Sequence, residues 1–416
     1  MQSVRSVGLA GAGDRPAHGG GHGGPAGEGS RGVKEDELRA DLVRRLTDAG
    51  HLRTDRWRAA AEAVPRHEFL RGGFFEREPG SAPTWWRPVL PGDDTWLERC
   101  YRDDSLVTQV AGTIVPTDVR GAVCRAPTSS STMPGLVLRM LEELRVADGH
   151  RVLEIGTGTG YSTALLCHRV GADRVTSVEV DPDVATRARV ALGACGHAPE
   201  LVVGDGLAGY APSAPYDRMI ASCGILEVPG DWIGQTRPGG RILATVSGWL
   251  YASELACLTV GEGIARGRFL GGRISFMLAR SHQPPPLGCL PDLTSADERP
   301  TRLAAHEALD DWTARFVAQL AAPRAQHITL AGEDGRVEQV LLDVADGSWA
   351  ALRQDRGRSL VRQGGPARLW DAVEEHVRRW RADGSPGLER FGITVGPGGQ
   401  HITWPTKARA APATPR

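Results

Sequence analysis

The 416-residue sequence predicts an α/β protein built on a doubly wound parallel sheet, with a helical lid before it and a smaller α+β domain after it. Three observations predict this. Strands and helices alternate regularly from Met133 to Val246, as βαβ units require. The turn Gly156-Thr157-Gly158-Thr159-Gly160 lies between a strand and a helix. A proline-rich stretch, Pro284-Pro285-Pro286, separates that block from a second periodic region.

Composition narrows the class. With 49 Lys+Arg against 50 Asp+Glu the net charge is −1, so no basic excess recommends a nucleic-acid backbone or an anionic membrane as partner. No apolar run approaches the ~20 residues of a membrane helix. Seven widely spaced cysteines without a Cys-x-x-Cys form neither a disulfide framework nor a zinc site and fit a reducing, cytoplasmic setting. The expectations are no metal, no nucleic acid and no membrane.

Residues 1–31, rich in Gly, Ala and His, lack the apolar run of a secretory signal and read as a disordered tail. His18 and His22 there are too few to make a metal site. Residues 32–132 form the lid and its approach. One helix is expected over Lys34–Ala49, with Leu38, Leu42, Val43 and Leu46 at helical spacing, and another runs from an N-cap at Thr54 to about Val64, before Pro65. Between Arg71 and Arg125, Pro79, Pro83, Pro88 and Pro91 interrupt a cluster of Trp85, Trp86 and Trp96, predicting loops and short strands. The tryptophans suit substrate contact or simple packing equally.

The core domain is expected over 133–282. Its elements are a helix over Met133–Val146, strand Arg151–Ile155, a helix to Val170, strand Arg174–Val180, helix Pro182–Cys195, strands Glu200–Val203 and Tyr216–Ala221, helix Val228–Gln235 and strand Gly240–Val246. Strands near Glu254–Val260 and Ile274–Ala279 should close the sheet. A linker over 283–301 leads to an α+β domain over 302–416. There strands Gln326–Leu330, Val337–Asp343 and Trp349–Leu352 precede a helix with Trp370, Val373, Val377 and Trp380 on one face, which reads as core. Ile393–Val395 then turns through Gly-Pro-Gly-Gly into His401–Trp404.

The chemistry concentrates in Val152–Gly160. Glycines after a strand and before a helix permit a tight turn and close approach to a cofactor. A dinucleotide fingerprint needs G-x-G-x-x-G, but the third glycine comes one residue early and Tyr161 stands in its place. Glu154, just before the loop, would repel a pyrophosphate but suits the ammonium and sulfonium of S-adenosylmethionine. Glu179, at the end of the second strand, can accept both ribose hydroxyls. Asp181 reads as an N-cap. Asp205, with Gly206, lies at the same sheet edge and suits the adenine amino group, or else an Asx turn. The cofactor set is therefore Glu154, Gly156, Thr157, Gly158, Gly160, Tyr161, Glu179, Asp205 and Gly206.

Ala63-Val-Pro-Arg-His-Glu-Phe-Leu70, Thr128-Ser-Ser-Ser-Thr-Met133, Val152–Ala164, Gly204-Asp-Gly206, Tyr216-Asp217, Val228-Pro229 and Pro238-Gly-Gly240 together resemble the protein-L-isoaspartate O-methyltransferase family of Rossmann-like class I methyltransferases. The resemblance spans about Val33–Val246. It implies an S-adenosylmethionine-dependent enzyme that methylates a carboxylate of an aspartyl or isoaspartyl residue in a peptide or protein.

The same resemblance implies that the hydroxyl-rich segment holds the substrate carboxylate, pointing to Ser130 with Ser129 and Ser131 as neighbours one register step away. Thr132-Met133 replaces the family's usual proline and tyrosine there. A Ser or Thr of this stretch could instead cap the next helix. Ala221-Ser222-Cys223-Gly224 stands where amine-methylating relatives carry Asn/Asp-Pro-Pro-Tyr/Phe. The unit after Arg302 is absent from the short repair enzymes. It resembles homologues that methylate aspartate in ribosomally made peptides, such as lanthipeptides and graspetides, where the ester collapses to an aspartimide. General repair of isoaspartyl proteins and a catalytically idle peptide-binding relative are the competing readings.

Overall fold

The structure is a computed structural model and describes residues 28–81, 83–331 and 337–407. His18, His22 and most of the expected tail lie outside these residues. The first helix begins earlier than expected, within the stretch assigned to that tail: α1 (Glu28–Asp48) is followed by α2 (Asp55–Ala63). Leu42, Val43 and Leu46 of α1 and Trp57, Ala60 and Ala61 of α2 are buried, forming the apolar face of the lid. Thr54 stands at the N-cap of α2 without a side-chain cap bond. Its N–H instead donates to Glu142 Oε1 (2.7 Å), tying the lid to the core domain.

The stretch expected to be irregular contains an antiparallel sheet. Strands β1 (Phe74–Arg77), β2 (Trp86–Val89), β3 (Leu106–Val110) and β4 (Pro127–Ser131) lie in the order β2-β1-β3-β4, with the short α3 (Trp96–Cys100) between β2 and β3. Trp96 is buried and packs the lid, whereas Trp85 is exposed.

The expected core follows. Helix α4 (Pro134–Leu144) leads to β5 (Val152–Ile155), α5 (Tyr161–Val170), β6 (Val175–Glu179), α6 (Pro182–Ala194), β7 (Glu200–Val203), β8 (Tyr216–Ile225), α7 (Gly230–Gln235) and β9 (Thr236–Val246). Strands β7-β6-β5-β8-β9 are parallel neighbours. The order reverses at β5, so a crevice opens at the carboxyl ends of β5 and β8, where ligands of open α/β sheets bind. Asp181 caps α6, accepting from the N–H groups of Asp183 and Val184, as its sequence position predicts.

Two expectations at the far edge are corrected. The strand after β10 (Glu254–Val260) is β11 (Ala265–Phe269), paired antiparallel to it. Ile274–Ala279, expected to be that strand, runs as an extended segment with a single bridge, Leu278 to Gly224. All six residues line the crevice, and burial alternates along it, Ile274 buried, Ser275 and Met277 exposed and Phe276 and Leu278 half-buried, which is the pattern of a half-buried strand.

The second correction concerns the C-terminal region. Strands β12 (Arg299–Pro300), β13 (Gln326–Ala331), β14 (Val337–Asp343), β15 (Ser348–Asp355) and β16 (Arg358–Gly364) make a five-stranded sheet with helices α8 (Ala305–Leu309), α9 (Trp312–Ala321) and α10 (Leu369–Ala382). Trp370, Val373, Val377 and Trp380 of α10 are all buried core. The closing hairpin, β17 (Gly392–Gly396) and β18 (Gly399–Thr403), does not belong to that sheet: β17 pairs with β11 and extends the main sheet to nine strands. The expected linker is also not free, since Leu287, Leu293 and Ala296 pack against Val340, Leu342 and Trp349.

Candidate active site

The crevice is a cavity of about 670 Å³, within the size range of cofactor and small-ligand sites. Its floor is the glycine turn and the ends of β5 and β6. Strand β4 and the Gly272–Arg280 segment form its walls.

The turn works because three glycines take left-handed backbone, with φ of 87° at Gly156, 55° at Gly158 and 93° at Gly160. Their neighbours differ. Gly158 lies under Ser130 O of β4, whereas Gly160 faces Ala188 and Leu192 of α6 and is not part of the cavity wall; at both it is the positive φ that calls for glycine. Gly206 is required too, because a Cβ there would stand 2.4 Å from Ile155 Cγ2.

Glu179 closes the floor. Its Oε2 accepts from Gly158 N (2.9 Å) and its Oε1 from Asp181 N (3.1 Å), leaving each oxygen a lone pair toward the cavity. Burial raises its pKa above the ordinary glutamate value, and those two N–H groups partly offset the rise. Asp205 lies at the exposed rim of the cavity, where its Oδ1 accepts from Leu207 N (3.0 Å). Its side chain thus makes the turn bond that the sequence allowed and also lines the site. Thr157 lines the cavity while its Oγ is bonded to Ser177 Oγ (2.6 Å). Tyr161 is a buried part of the wall.

Glu154 is placed differently from the expectation. It is fully buried behind the floor and is not among the lining residues. Its carboxylate accepts from Thr163 Oγ1 (2.5 Å), Ser177 Oγ (2.8 Å) and Ser162 Oγ. Burial pushes its pKa up, and the three hydroxyls counter that. An acid held by its own neighbours organises β5, β6 and α5 and does not contact a bound cation.

The hydroxyl run is strand β4 itself. Ser129 and Ser131 are buried, whereas Ser130 is half-buried, and all three line the cavity. Ser129 Oγ accepts from Thr108 Oγ1 at 3.3 Å. Ser131 Oγ is buried and has no hydrogen-bond partner among the described residues. None of the run caps α4. That helix starts at Pro134, and Gly135 N donates to Asp103 Oδ1 (2.6 Å), so the capping role belongs to a residue outside the segment.

Several supports hold roles that no local pattern announces. Arg66 is fully buried, and its guanidinium donates to the carbonyls of Cys100 (2.9 Å), Arg102 (2.8 Å), Asp104 (2.8 Å) and Thr132 (3.3 Å). It pins the end of β4 to the lid. Gln109 Nε2 and Arg280 Nη2 both donate to Asp181 Oδ2, at 3.1 and 2.6 Å. Burial would raise the Asp181 pKa, but Arg280 and the capping N–H groups hold it below the ordinary value. Ser222 and Cys223 line the opposite side. Burial pushes the Cys223 thiol up to about 12, so it is a neutral wall residue and not a nucleophile.

The residues present fit a nucleoside-bearing methyl donor: a glycine floor without Cβ atoms, a buried carboxylate, Glu179, at the cavity floor and a rim acid, Asp205. The comparisons point the same way. The family model described as protein-L-isoaspartate(D-aspartate) O-methyltransferase matches residues 117–255. The protein-L-isoaspartate O-methyltransferase of Methanopyrus kandleri is 34% identical over 211 residues, half of this chain and 76% of that protein. That of Methanoculleus marisnigri is 43% identical over 142 residues, 34% of this chain and 63% of that one. A solved protein-L-isoaspartate O-methyltransferase, 22% identical, superposes with a TM-score of 0.52 over 88% of this chain and 99% of its own, which speaks to the fold. The chain therefore belongs to the protein-L-isoaspartate O-methyltransferase family of S-adenosylmethionine-dependent carboxyl methyltransferases.

Proposed function

We propose that the enzyme transfers a methyl group to the carboxylate of an aspartyl or isoaspartyl residue in a peptide, with Ser130 orienting that carboxylate. The observation that carries this reading is strand β4, which lays half-buried Ser130, whose hydroxyl makes no hydrogen bond among the described residues, across the glycine loop. S-adenosylmethionine, bound there, supplies an electrophilic methyl on a sulfonium. Glu179 accepts the ribose hydroxyls, Asp205 the adenine amino group, and Gly156 and Gly158 let the backbone approach. A carboxylate is already ionised near pH 7, so no general base is required. The protein's task is to strip its water and aim one oxygen at the methyl carbon. Hydroxyl donors such as Ser130, with Ser129 and Ser131 one step away, hold it without protonating it.

For the substrate we favour aspartate in a ribosomally made precursor peptide. There the backbone amide nitrogen following the methyl ester attacks the ester carbonyl, methanol leaves and an aspartimide remains. General isoaspartyl repair is the second reading, because the fold similarity to the solved protein-L-isoaspartate O-methyltransferase covers 88% of this chain and so extends past the 282 residues ahead of the linker. The C-terminal unit therefore does not by itself mark a peptide-tailoring enzyme.

One experiment separates the two. Peptides of one sequence, with aspartate or isoaspartate at a single position, are incubated with the full-length enzyme and S-adenosylmethionine and followed by mass spectrometry. Methylation of isoaspartate in unrelated sequences indicates repair. Confinement to aspartate in the precursor encoded beside the enzyme indicates tailoring. No methylation of any peptide, with the cofactor still bound, overturns both and leaves a peptide-binding relative. No helix among the described residues is long and apolar enough to cross a membrane.

A further inference from the structure

Three arginines, Arg139, Arg273 and Arg280, line the cavity on the side of α4 and the 272–280 wall. Two are committed within the fold. Arg139 Nη2 donates to Gly271 O (2.6 Å), and Arg280 is paired with Asp181 at 2.6 Å. Arg273 is exposed, and among the described residues its guanidinium has no hydrogen-bond or ion-pair partner.

Its backbone is unusual as well. Gly271, Gly272 and Arg273 are three successive left-handed residues with φ of 72°, 118° and 54°. Glycine suits such positions, whereas a residue with a Cβ is disfavoured there. The fold holds Arg273 in place with a buried acid, Glu254, whose Oε2 accepts from Arg273 N (3.1 Å) and whose Oε1 accepts from Leu255 N (2.9 Å). Backbone strain held by a buried carboxylate, at a position that puts an unpaired guanidinium on a cavity wall, is the pattern of a ligand-reading residue.

Resting on the peptide-methylation reading above, we propose that Arg273 is a specificity-determining residue that binds a second carboxylate of the substrate peptide, on a side chain close to the methylated residue. A guanidinium offers a planar fork that pairs with a carboxylate in two-point fashion. The charge layout agrees. Arg280 is spent on Asp181 beside Glu179. Arg139 and Arg273 lie together at the other end of the 272–280 segment, where Arg139 meets Gly271 and Gly272, so an acidic peptide is drawn to that end of the wall and repelled from the Glu179 and Asp205 floor.

The test uses the full-length enzyme and two peptides sharing one methylatable residue, flanked in one by Glu and in the other by Gln. Wild type should show a KM roughly threefold to tenfold lower for the acidic peptide at similar kcat, the size expected of a part-exposed ion pair. Arg273→Gln should erase that preference, and Arg273→Lys should restore part of it. Arg273→Gly, which relieves the left-handed strain, should melt no lower than wild type while also losing the preference; this guards against misfolding as the cause. Equal KM values in wild type, or a preference surviving in Arg273→Gln, overturn the proposal. So does a fall in S-adenosylmethionine affinity in Arg273→Gln by calorimetry, which would assign the guanidinium to the cofactor's own carboxylate. Turnover of neither peptide instead defeats the peptide-methylation reading on which the proposal rests.

Discussion

Glu154 and Glu179 are acids at neighbouring strand ends, and their surroundings give them different work. Glu154 is enclosed by three hydroxyl donors, whereas Glu179 keeps lone pairs for a ligand. Glu179→Gln should lower S-adenosylmethionine affinity about tenfold or more, since each charge-assisted bond is worth ~1.5–3 kcal/mol; calorimetry showing unchanged affinity would remove Glu179 from the ribose site. Because its pKa is raised by burial, affinity should already fall on acidification at a pH above the ordinary glutamate range near ~4.3. Glu154 has the opposite consequence for stability. Its folded-state pKa is also raised, so its contribution is fully present below the unfolded value and is lost as pH rises toward the folded value. Urea midpoints of wild type relative to Glu154→Gln should therefore decline as pH rises from ~4. A wild type gaining stability over that range would show that the hydroxyls outweigh burial.

At the scale of elements, β4 and α4 separate chemistry from capping. Asp103→Ala removes the acceptor of Gly135 N and should cost ~0.5–2 kcal/mol, read as a lower melting temperature. Ser130→Ala should leave melting unchanged and lower the methylation rate. A destabilised Ser130→Ala enzyme with normal turnover would return the serine to a structural role and shift attention to Ser129 or Ser131. The succession of strands and helices from β5 to β9 and the glycine turn were legible in the sequence, because strand–turn–helix alternation is local and periodic. The sequence also revealed the buried face of α10. What it could not reveal is pairing at long range. Nothing local in Ile274–Ala279 distinguishes a cavity wall from a strand, and nothing in Ile393–Val395 announces β11 as its partner. Arg66, Gln109 and Arg280 stayed hidden for a related reason: each acts through carbonyls or acids far away in the chain, and a lone polar residue in sequence carries no record of its partner.

At the scale of the whole molecule, the unit after Arg302 is continuous with the methyltransferase core. One apolar cluster runs from Met219 and Leu258 in the central sheet to Phe316 in α9, Trp370 in α10 and Phe391 beside β17. Phe316 packs edge-on against Phe269 of β11 (5.4 Å between centroids) and Phe391 (6.3 Å). Trp312 Nε1 and Gln319 Nε2 of α9 donate to the carbonyls of Ser253 (3.0 Å) and Ala252 (2.7 Å). A chain ending near Arg280 would lose these contacts and bare the β11 edge, which invites aggregation. The shared core predicts that such a chain does not fold into a cofactor-binding enzyme. Full-length enzyme should unfold in a single cooperative thermal transition, with calorimetric and van't Hoff enthalpies equal. Phe316→Ala, which opens a hole between the two units, should cost ~3–5 kcal/mol and move that single transition down as a whole. Two separate transitions, or a soluble chain ending at Arg280 that binds S-adenosylmethionine, would show that the C-terminal unit is a detachable module, and recognition of the peptide could then be assigned to it alone.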